Sequence, residues 1–176
     1  MGGQTSVGIT GPIGALIVFL GFSYSAAAVG IFGWSEPVEL PGAGIRLEAK
    51  LDTGADTSSL DATDIRLFRR GENRIVKFKV RDPETGEELR LERNFVRSSR
   101  IRRHFGDYQL RRVVELEICL GTNRRKIEVN LIDRSNFSYP MLLGRNALAG
   151  IALVDPAISD TSTPNCPEED AEATAR

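Results

Sequence analysis

Histidine and cysteine are scarce in this sequence. Its 176 residues include one His and two Cys. A zinc site of the usual kind takes three or four protein ligands, and His104, Cys119 and Cys166 have no short spacing between them. The chain also contains no G-x-x-x-x-G-K-S/T phosphate loop and no H-E-x-x-H pair of zinc ligands. We therefore expect chemistry that uses neither a metal nor a cofactor.

An excess of charge of either sign is also absent. Lys and Arg number 23 and Asp and Glu number 24, so the net charge of -1 creates no overall field that attracts nucleic acid. Aromatic residues make up 7% of the chain, too few beside its arginines for base stacking. The balance of 41% hydrophobic and 27% charged residues is that of a folded soluble domain. We expect one such domain and no nucleic-acid partner.

Charged residues are missing altogether from the first 35 positions. Residues 9–32 are almost entirely apolar or small, which is enough for a helix to cross a bilayer, since that takes about 20 residues. The run Ser25-Ala26-Ala27-Ala28 fits a signal-peptidase site. We therefore predict that residues 1–32 are a signal peptide or a membrane anchor, and that the protein is periplasmic or membrane-anchored facing the periplasm. The alternative is a buried hairpin or a wrongly chosen start codon, with the protein in the cytoplasm.

The other end of the chain is acidic. Residues 160–176 hold five acidic residues against one Arg, together with two prolines. Such a segment has too little apolar surface to order itself, so we predict a disordered acidic tail. Cys166 lies in this tail, and a disulfide with Cys119 is possible after export. The domain itself is expected at residues 33–159.

The middle of the chain has the pattern of β-strands. Apolar and polar residues alternate over residues 45–51, over 76–80 and 89–91 around a turn at 82–86, and over 114–120 and 127–131 around a turn at 121–123. Helix is predicted only around residues 64–69 and from Arg145 to a stop at Gly150. Many short strands with little helix predict an all-β domain that is closed or sandwich-like.

The most informative residues follow the first of these strands, where the sequence is Asp52-Thr53-Gly54. A carboxylate at a strand end followed by Thr and Gly suits an aspartic peptidase, because Gly allows a tight turn beneath a substrate and the Thr hydroxyl can lock the loop. Three residues recur by chance, however, and Asp52 and Thr53 would serve equally well as turn caps. The motif needs a second feature to support it.

A second segment supplies this support. The stretch Pro140–Leu148 is an apolar strand that ends in Gly144-Arg145-Asn146, and with Leu51–Asp56 upstream it resembles the paired segments of retroviral proteases. The wider pattern resembles the bacterial retropepsin-like family, which also carries an older label as ATP-dependent zinc proteases. The stretches that match it are Gly33-Trp34, Val38–Pro41, Lys50–Ala55, Arg134-Ser135, Pro140–Arg145 and Val154–Pro156.

This resemblance implies the retropepsin-like acid protease fold, a small closed β-barrel with one short C-terminal helix. It implies that Asp52, Thr53 and Gly54 form the catalytic loop, that Ala55 and Asp56 contact substrate, and that a second segment supports the site. The supporting residues are Leu143, Gly144, Arg145 and Asn146. It also suggests that Asp56 forms an ion pair with Arg145, as at the matching buried positions of retroviral proteases.

The chain has a single D-T-G, whereas aspartic peptidase chemistry needs two carboxylates. We therefore expect a homodimer in which Asp52 faces its copy across a two-fold axis. Such a pair shares one proton. The ionised member activates a water and the protonated member donates to the peptide carbonyl, so a protein or peptide is the expected substrate.

Retropepsins close a β-hairpin flap over the substrate, and two segments are candidates for it. The first is residues 98–106, where Arg100, Arg102 and Arg103 favour acidic or extended polar substrates; the second is the turn at 82–86. Two other functions stay open. One is a non-catalytic module of the same fold that binds a peptide or a partner protein, and the other is a domain that docks on anionic surfaces through its arginines.

Overall fold

A computed structural model of the protein describes residues 29–102 and 108–167. Three parts of the chain lie outside these ranges. They are residues 1–28, which make up most of the predicted signal or anchor, residues 103–107 at the centre of the first candidate flap, and the last nine residues. Within them the chain forms eleven strands and one helix. The strands are β1 (Gly30–Gly33), β2 (Ser35–Leu40), β3 (Ile45–Leu51), β4 (Ser58–Asp61), β5 (Thr63–Arg70), β6 (Asn73–Arg81), β7 (Glu88–Arg102), β8 (Tyr108–Leu120), β9 (Asn123–Ile132), β10 (Met141–Leu143) and β11 (Ala152–Asp155), and the helix is α1 (Arg145–Leu148).

Six strands close into a barrel, in the order β2-β3-β10-β4-β9-β8. The ring closes where β2 pairs with β8, with Val38 opposite Leu120. Side chains alternate across each strand, so the apolar members of β3 point into the barrel and are buried while Arg46 and Lys50 point outward. The closed barrel with one short helix confirms the predicted all-β fold. Among the described residues, no helix has both the length and the apolar character that a membrane crossing requires.

Three further strands extend the sheet beyond β8 in the order β7-β6-β5. β7 is long enough to pair with β6 through its first half and with β8 through its second half. Val76, Phe78 and Val80 of β6 are buried and join the same apolar core as the barrel. The prediction of helix at residues 64–69 is wrong, because this stretch forms β5 and pairs antiparallel with β6. A short run such as this fits either state, and here the strand is favoured because β6 offers a free edge.

The chain after β11 returns along the barrel. The amide of Asp160 donates to the Ser35 carbonyl at 2.9 Å, and the amides and hydroxyls of Thr161 and Ser162 donate to the carboxylate of buried Glu36. Burial raises the pKa of Glu36, but the hydrogen bonds from Thr161, Gly33 and Ser162 outweigh it and hold the pKa below its usual value. This part of the chain is therefore ordered, which differs from the tail predicted to begin at residue 160.

A disulfide holds the end of this segment. Cys166 is bonded to Cys119 of β8, and the neighbouring amide of Asn165 donates to the Gly121 carbonyl at 2.8 Å. The sequence allowed this disulfide without requiring it. Its partner on the barrel is buried, so the bond attaches the C-terminal segment directly to the core.

Candidate active site

Asp52 begins the loop that joins β3 to β4. Its amide donates to the Leu143 carbonyl at 2.8 Å, which continues the pairing of β3 with β10 by one residue. Its carboxylate Oδ1 accepts from the amides of Gly54 at 3.0 Å and Ala55 at 3.2 Å. Its other oxygen, Oδ2, lies 3.8 Å from the Lys50 ammonium. The backbone of the loop thus fixes one oxygen of a partly exposed carboxylate at the end of β3.

Gly54 allows this turn to remain tight. A Cβ at this position would lie 3.2 Å from Asp52 Oδ1, so any side chain would crowd the carboxylate. Thr53 and Gly54 are exposed, as are Asp56 and the outer side of the loop. The loop therefore presents both the carboxylate and its own backbone to whatever approaches the barrel at this point.

The second predicted segment lies directly behind this loop. β10 runs between β3 and β4, with Leu143 opposite Leu51. Beyond it, the amide of Arg145 donates to the Ala55 carbonyl at 2.9 Å and the amide of Asn146 donates to the Asp56 carbonyl at 3.2 Å. These backbone hydrogen bonds join the two segments that the sequence placed in one site.

Arg145 also reaches the loop with its side chain. The guanidinium Nη1 donates to the carbonyls of Thr53 at 3.1 Å and Gly54 at 2.9 Å, and Nη2 lies 3.2 Å from Asp56 Oδ1. The predicted ion pair is thus present, but its side chains are 52% and 68% exposed in this chain rather than buried. An exposed pair contributes less than about 1 kcal/mol, so the bonds to the two loop carbonyls are the more important contacts.

Sequence reasoning missed a buried amide beneath the loop. Asn130 of β9 is 3% exposed, and its Nδ2 donates to Thr57 Oγ1 at 2.9 Å and to the Ser58 carbonyl at 2.8 Å. The Ser58 hydroxyl accepts from the Gly144 amide at 3.2 Å. An Asn between Val129 and Leu131 in an otherwise apolar strand was the available signal, since a buried amide needs partners.

Arg125 is a second residue that the sequence did not identify. Its Nη1 donates to the carbonyls of Ala147 at 3.1 Å and Ala149 at 2.6 Å. These carbonyls are at the C-terminal end of α1, where they lack partners within the helix and where a cation is favourable. β9 therefore supports both the start of β4 and the end of the helix that follows Arg145.

The two candidate flap segments lie in different places. The turn at residues 82–86 lies beside Ile45, at the start of β3, and the D-T-G loop lies beyond the other end of that strand. By contrast, Arg97 of β7 pairs with Val113 of β8, which in turn pairs with Asn130 beneath the loop. Of the two segments, the β7–β8 hairpin is therefore the one next to the strands that support Asp52.

Within the described ranges, no group of three or more His, Cys, Asp or Glu side chains is placed to hold a metal ion.

A closed β-barrel in which a D-T-G loop rests against an apolar strand and a G-R-N helix start defines the retropepsin-like class of aspartic peptidases. The chain belongs to the RimB-like family, described as the retropepsin-like aspartic endopeptidase RimB, which it matches over residues 31–164. This confirms the family resemblance seen in the sequence.

One solved structure has the same fold, and the curated relatives are named as ligases. A crystal structure of Lpg0085 from Legionella pneumophila, a protein of unknown function, is 34% identical and superposes with a TM-score of 0.67 over 77% of this chain and all of that one. A probable alpha-L-glutamate ligase of Parasynechococcus marenigrum is 36% identical over 129 residues, and one of Shewanella pealeana is 35% identical over 132 residues. These stretches are 72% and 73% of this chain but only 28% and 29% of the relatives, so the chain spans less than a third of their length.

Proposed function

We propose that the protein is an aspartic endopeptidase whose active site forms between two copies of the chain. The observation that carries the proposal is the Asp52 carboxylate, held by the amides of Gly54 and Ala55 on a loop that Arg145 braces from behind. This arrangement fixes one carboxylate and leaves it accessible. The second carboxylate comes from Asp52 of another copy, because the sequence contains only one D-T-G.

In this mechanism the two carboxylates share one proton, because two negative charges so close together are unfavourable. The ionised Asp52 takes a proton from a water molecule, and the water oxygen attacks the peptide carbonyl carbon. The protonated Asp52 of the other copy donates its proton to the carbonyl oxygen. The carbon–nitrogen bond breaks as the leaving nitrogen receives the proton that Asp52 took from water, and a hydroxyl of the tetrahedral intermediate returns a proton to the other Asp52, which restores the pair. Because water is the nucleophile, no covalent bond to the enzyme forms.

The loop backbone and the β7–β8 hairpin contribute to substrate binding in this proposal. Ala55 and Asp56 line the open side of the D-T-G loop, and the hairpin serves as the flap. Arg100 and Arg112 lie on the hairpin, which favours an acidic peptide. The relatives are named probable alpha-L-glutamate ligases, a different activity, and their name makes glutamate-containing peptides the first substrates to test.

Export of the protein is part of the proposal. Disulfides form and persist mainly in oxidising compartments, so the bond between Cys119 and Cys166 supports a periplasmic location, free or anchored. A fusion of residues 1–32 to a reporter enzyme that is active only after export tests this: activity supports export, and an inactive fusion in intact cells contradicts it.

The experiment that tests the activity is digestion of a peptide library that includes glutamate-rich sequences, read by mass spectrometry between acid and neutral pH. Asp52→Asn is compared with Asp64→Asn, which makes the same change on the exposed edge strand β5. We expect the wild type and Asp64→Asn to cleave and Asp52→Asn to be inactive with an unchanged fold. If the folded, dimeric wild type cleaves nothing, the non-catalytic peptide-binding alternative replaces the peptidase.

A further inference from the structure

Residues 156–167, which follow β11, form a C-terminal strap along the barrel. At the start of the strap, the Trp34 amide donates to the Ile158 carbonyl at 3.0 Å. A Cβ on Gly33 would overlap the carbonyl of Ile158, so the backbone of the strap lies directly against the end of β1. The strap therefore packs on the short stretch of chain that leads from β1 into β2.

The middle of the strap supplies most of the hydrogen bonds of a buried carboxylate. Glu36 of β2 is 0% exposed, and its two oxygens accept from the amides and hydroxyls of Thr161 and Ser162. Among the described residues, the Gly33 amide is the one donor to this carboxylate from outside the strap, at 2.6 Å. A buried charge without partners is unfavourable, so loss of the strap would destabilise the start of β2.

The end of the strap depends on the disulfide between Cys119 and Cys166. Beside it, the Asn165 amide donates to the Gly121 carbonyl at 2.8 Å, and the Arg124 guanidinium donates to the carbonyl of Pro167. Asn165 and Pro167 are exposed, and such hydrogen bonds contribute little because water competes for the same groups. The covalent bond is therefore the main attachment of this end.

The disulfide borders a cleft in the barrel surface. This cleft has a volume of about 420 Å³ and is lined by both cysteines together with Glu39, Pro41, Gly42, Glu117 and Arg124. Cys119 is 1% exposed, whereas Cys166 is only partly buried. A small dithiol that enters the cleft therefore meets the sulfur of Cys166 first.

Arg124 favours an exchange reaction at this bond. It lies opposite Cys119 in the pairing of β8 with β9, and its ion pair with Glu117 at 2.7 Å holds it beside the same cleft. Attack on Cys166 expels the sulfur of Cys119 as a thiolate, and a nearby cation stabilises a thiolate. The cleft thus combines an accessible sulfur with a stabilised leaving group.

The strap is also connected to the candidate active site. Ser35 accepts the hydrogen bond of the strap residue Asp160, and the neighbouring Trp34 carbonyl accepts from the Leu51 amide at 2.8 Å. Leu51 immediately precedes Asp52. Release of the strap would therefore loosen the segment that holds this end of β3.

We propose that the bond between Cys119 and Cys166 is a reversible redox site for a dithiol, and that its reduction releases the strap and loosens the end of β3 that carries Asp52. Only the effect on cleavage rests on the proposed peptidase function. One thiolate of the dithiol attacks Cys166 Sγ, the protein disulfide breaks, and Cys119 leaves as a thiolate that takes up a proton. The second thiolate of the dithiol then displaces Cys166 from the mixed disulfide, and Cys166 is protonated in turn. The dithiol is oxidised to a disulfide, and the protein gains two electrons and two protons.

Hydrogen exchange of the full chain with and without dithiothreitol tests the redox site. The chain contains no other cysteine, so a dithiol can act only through this bond. We expect reduction to speed exchange at the amides of Thr161, Ser162 and Asn165 about tenfold or more, with β8 and β9 still protected, and reoxidation to reverse the change. Unchanged exchange in the reduced protein, or a disulfide that dithiothreitol reduces only after unfolding, would overturn the proposal.

The double variant Cys119→Ala/Cys166→Ala is the control for reduction. Without dithiothreitol it should show the exchange of the reduced wild type, and it should not respond to the dithiol. Exchange like that of the oxidised wild type would show that the strap stays in place without the disulfide, and would overturn the proposal.

A matched pair of threonine variants tests whether strap contacts and disulfide act together. The Thr161 hydroxyl donates to Glu36, whereas Thr163 is exposed. Thr161→Ala should be half reduced at about a fivefold lower ratio of reduced to oxidised dithiothreitol than wild type, since it loses one hydrogen bond of the docked strap. Thr163→Ala should match wild type. Equal ratios for the two variants would contradict the coupling.

Cleavage of a peptide that the oxidised wild type hydrolyses measures the effect on the candidate site. Reduction should lower kcat/KM about tenfold and reoxidation should restore it, because Asp52 is then held less firmly. Faster exchange of the strap with unchanged cleavage would overturn the connection to Asp52. If the oxidised wild type cleaves nothing, the peptidase function fails, and hydrogen exchange alone decides the redox site.

Discussion

Gly144 and Thr57 are in backbone contact beneath the D-T-G loop. A Cβ on residue 144 would lie 2.8 Å from both the carbonyl carbon and the carbonyl oxygen of Thr57. Only glycine therefore lets β10 approach the start of β4 so closely, and this approach also allows the Gly144 amide to reach the Ser58 hydroxyl.

Gly144→Ala should push the second segment away from the loop. We expect the free energy of unfolding to fall by about 1–3 kcal/mol, as for other overpacked sites. We also expect the folded variant to lose peptidase activity, because Asp52 moves with the loop. Gly42→Ala is the control, since its Cβ would meet only the end of the flexible Arg93 side chain. Urea unfolding of both variants measures the difference, and equal stability would contradict the close contact.

Arg145 and Asp56 should not be equivalent, although they form one ion pair. Asp56→Asn removes an exposed charge and should cost less than about 1 kcal/mol of stability. Arg145→Ala also removes the donors to the Thr53 and Gly54 carbonyls, so it should reduce kcat well beyond the effect of Asp56→Asn. Kinetics of the two variants decide this, and equal losses would show that the ion pair is the contact that matters.

Asn130→Ala should affect the loop from below. The substitution removes the side-chain amide that donates to the buried Ser58 carbonyl, and an unsatisfied buried carbonyl lowers the free energy of unfolding by about 1–3 kcal/mol. The half-buried Asn123, whose amide reaches the Leu120 carbonyl at 3.4 Å, provides the control Asn123→Ala with a smaller expected loss. Thermal unfolding compares them, and a larger effect at Asn123 would contradict this account.

Glu36 should make stability depend on pH. Its pKa is lowered in the folded chain, so its ionised form stabilises the fold fully above the unfolded pKa, about 4.3 for glutamate. This contribution is lost as the pH falls through the folded pKa. The stability difference between wild type and Glu36→Gln should thus be larger at pH 7 than at pH 3. A difference that is the same at both pH values would mean that the carboxylate charge is not what holds Thr161 and Ser162.

Local patterns were enough to predict the two elements that carry the candidate site. The alternation over residues 45–51 predicted β3, and the Gly after an apolar run predicted the start of α1 at Arg145. Pairing of the two segments came from a family resemblance, because no local rule brings Arg145 to a loop about 90 residues upstream.

The remaining features depend on partners that are distant in sequence. β5 is a strand because β6 pairs with it, and residues 161–162 are ordered because a buried carboxylate accepts their hydrogen bonds. The exposure of the Asp56–Arg145 pair likewise depends on which other residues of the fold lie beside it. None of these partners can be identified from composition or periodicity.

The central claim is that Asp52 acts in pairs from two chains, and subunit mixing tests it most directly. Wild-type protein at a fixed concentration is equilibrated with increasing Asp52→Asn protein, and peptide cleavage is measured. If each active site needs Asp52 from both copies, a ninefold excess of the variant should reduce activity to about one tenth, because nearly every wild-type chain then pairs with an inactive one. Activity that does not change with added Asp52→Asn, from protein whose subunits are shown to exchange, would contradict the shared site.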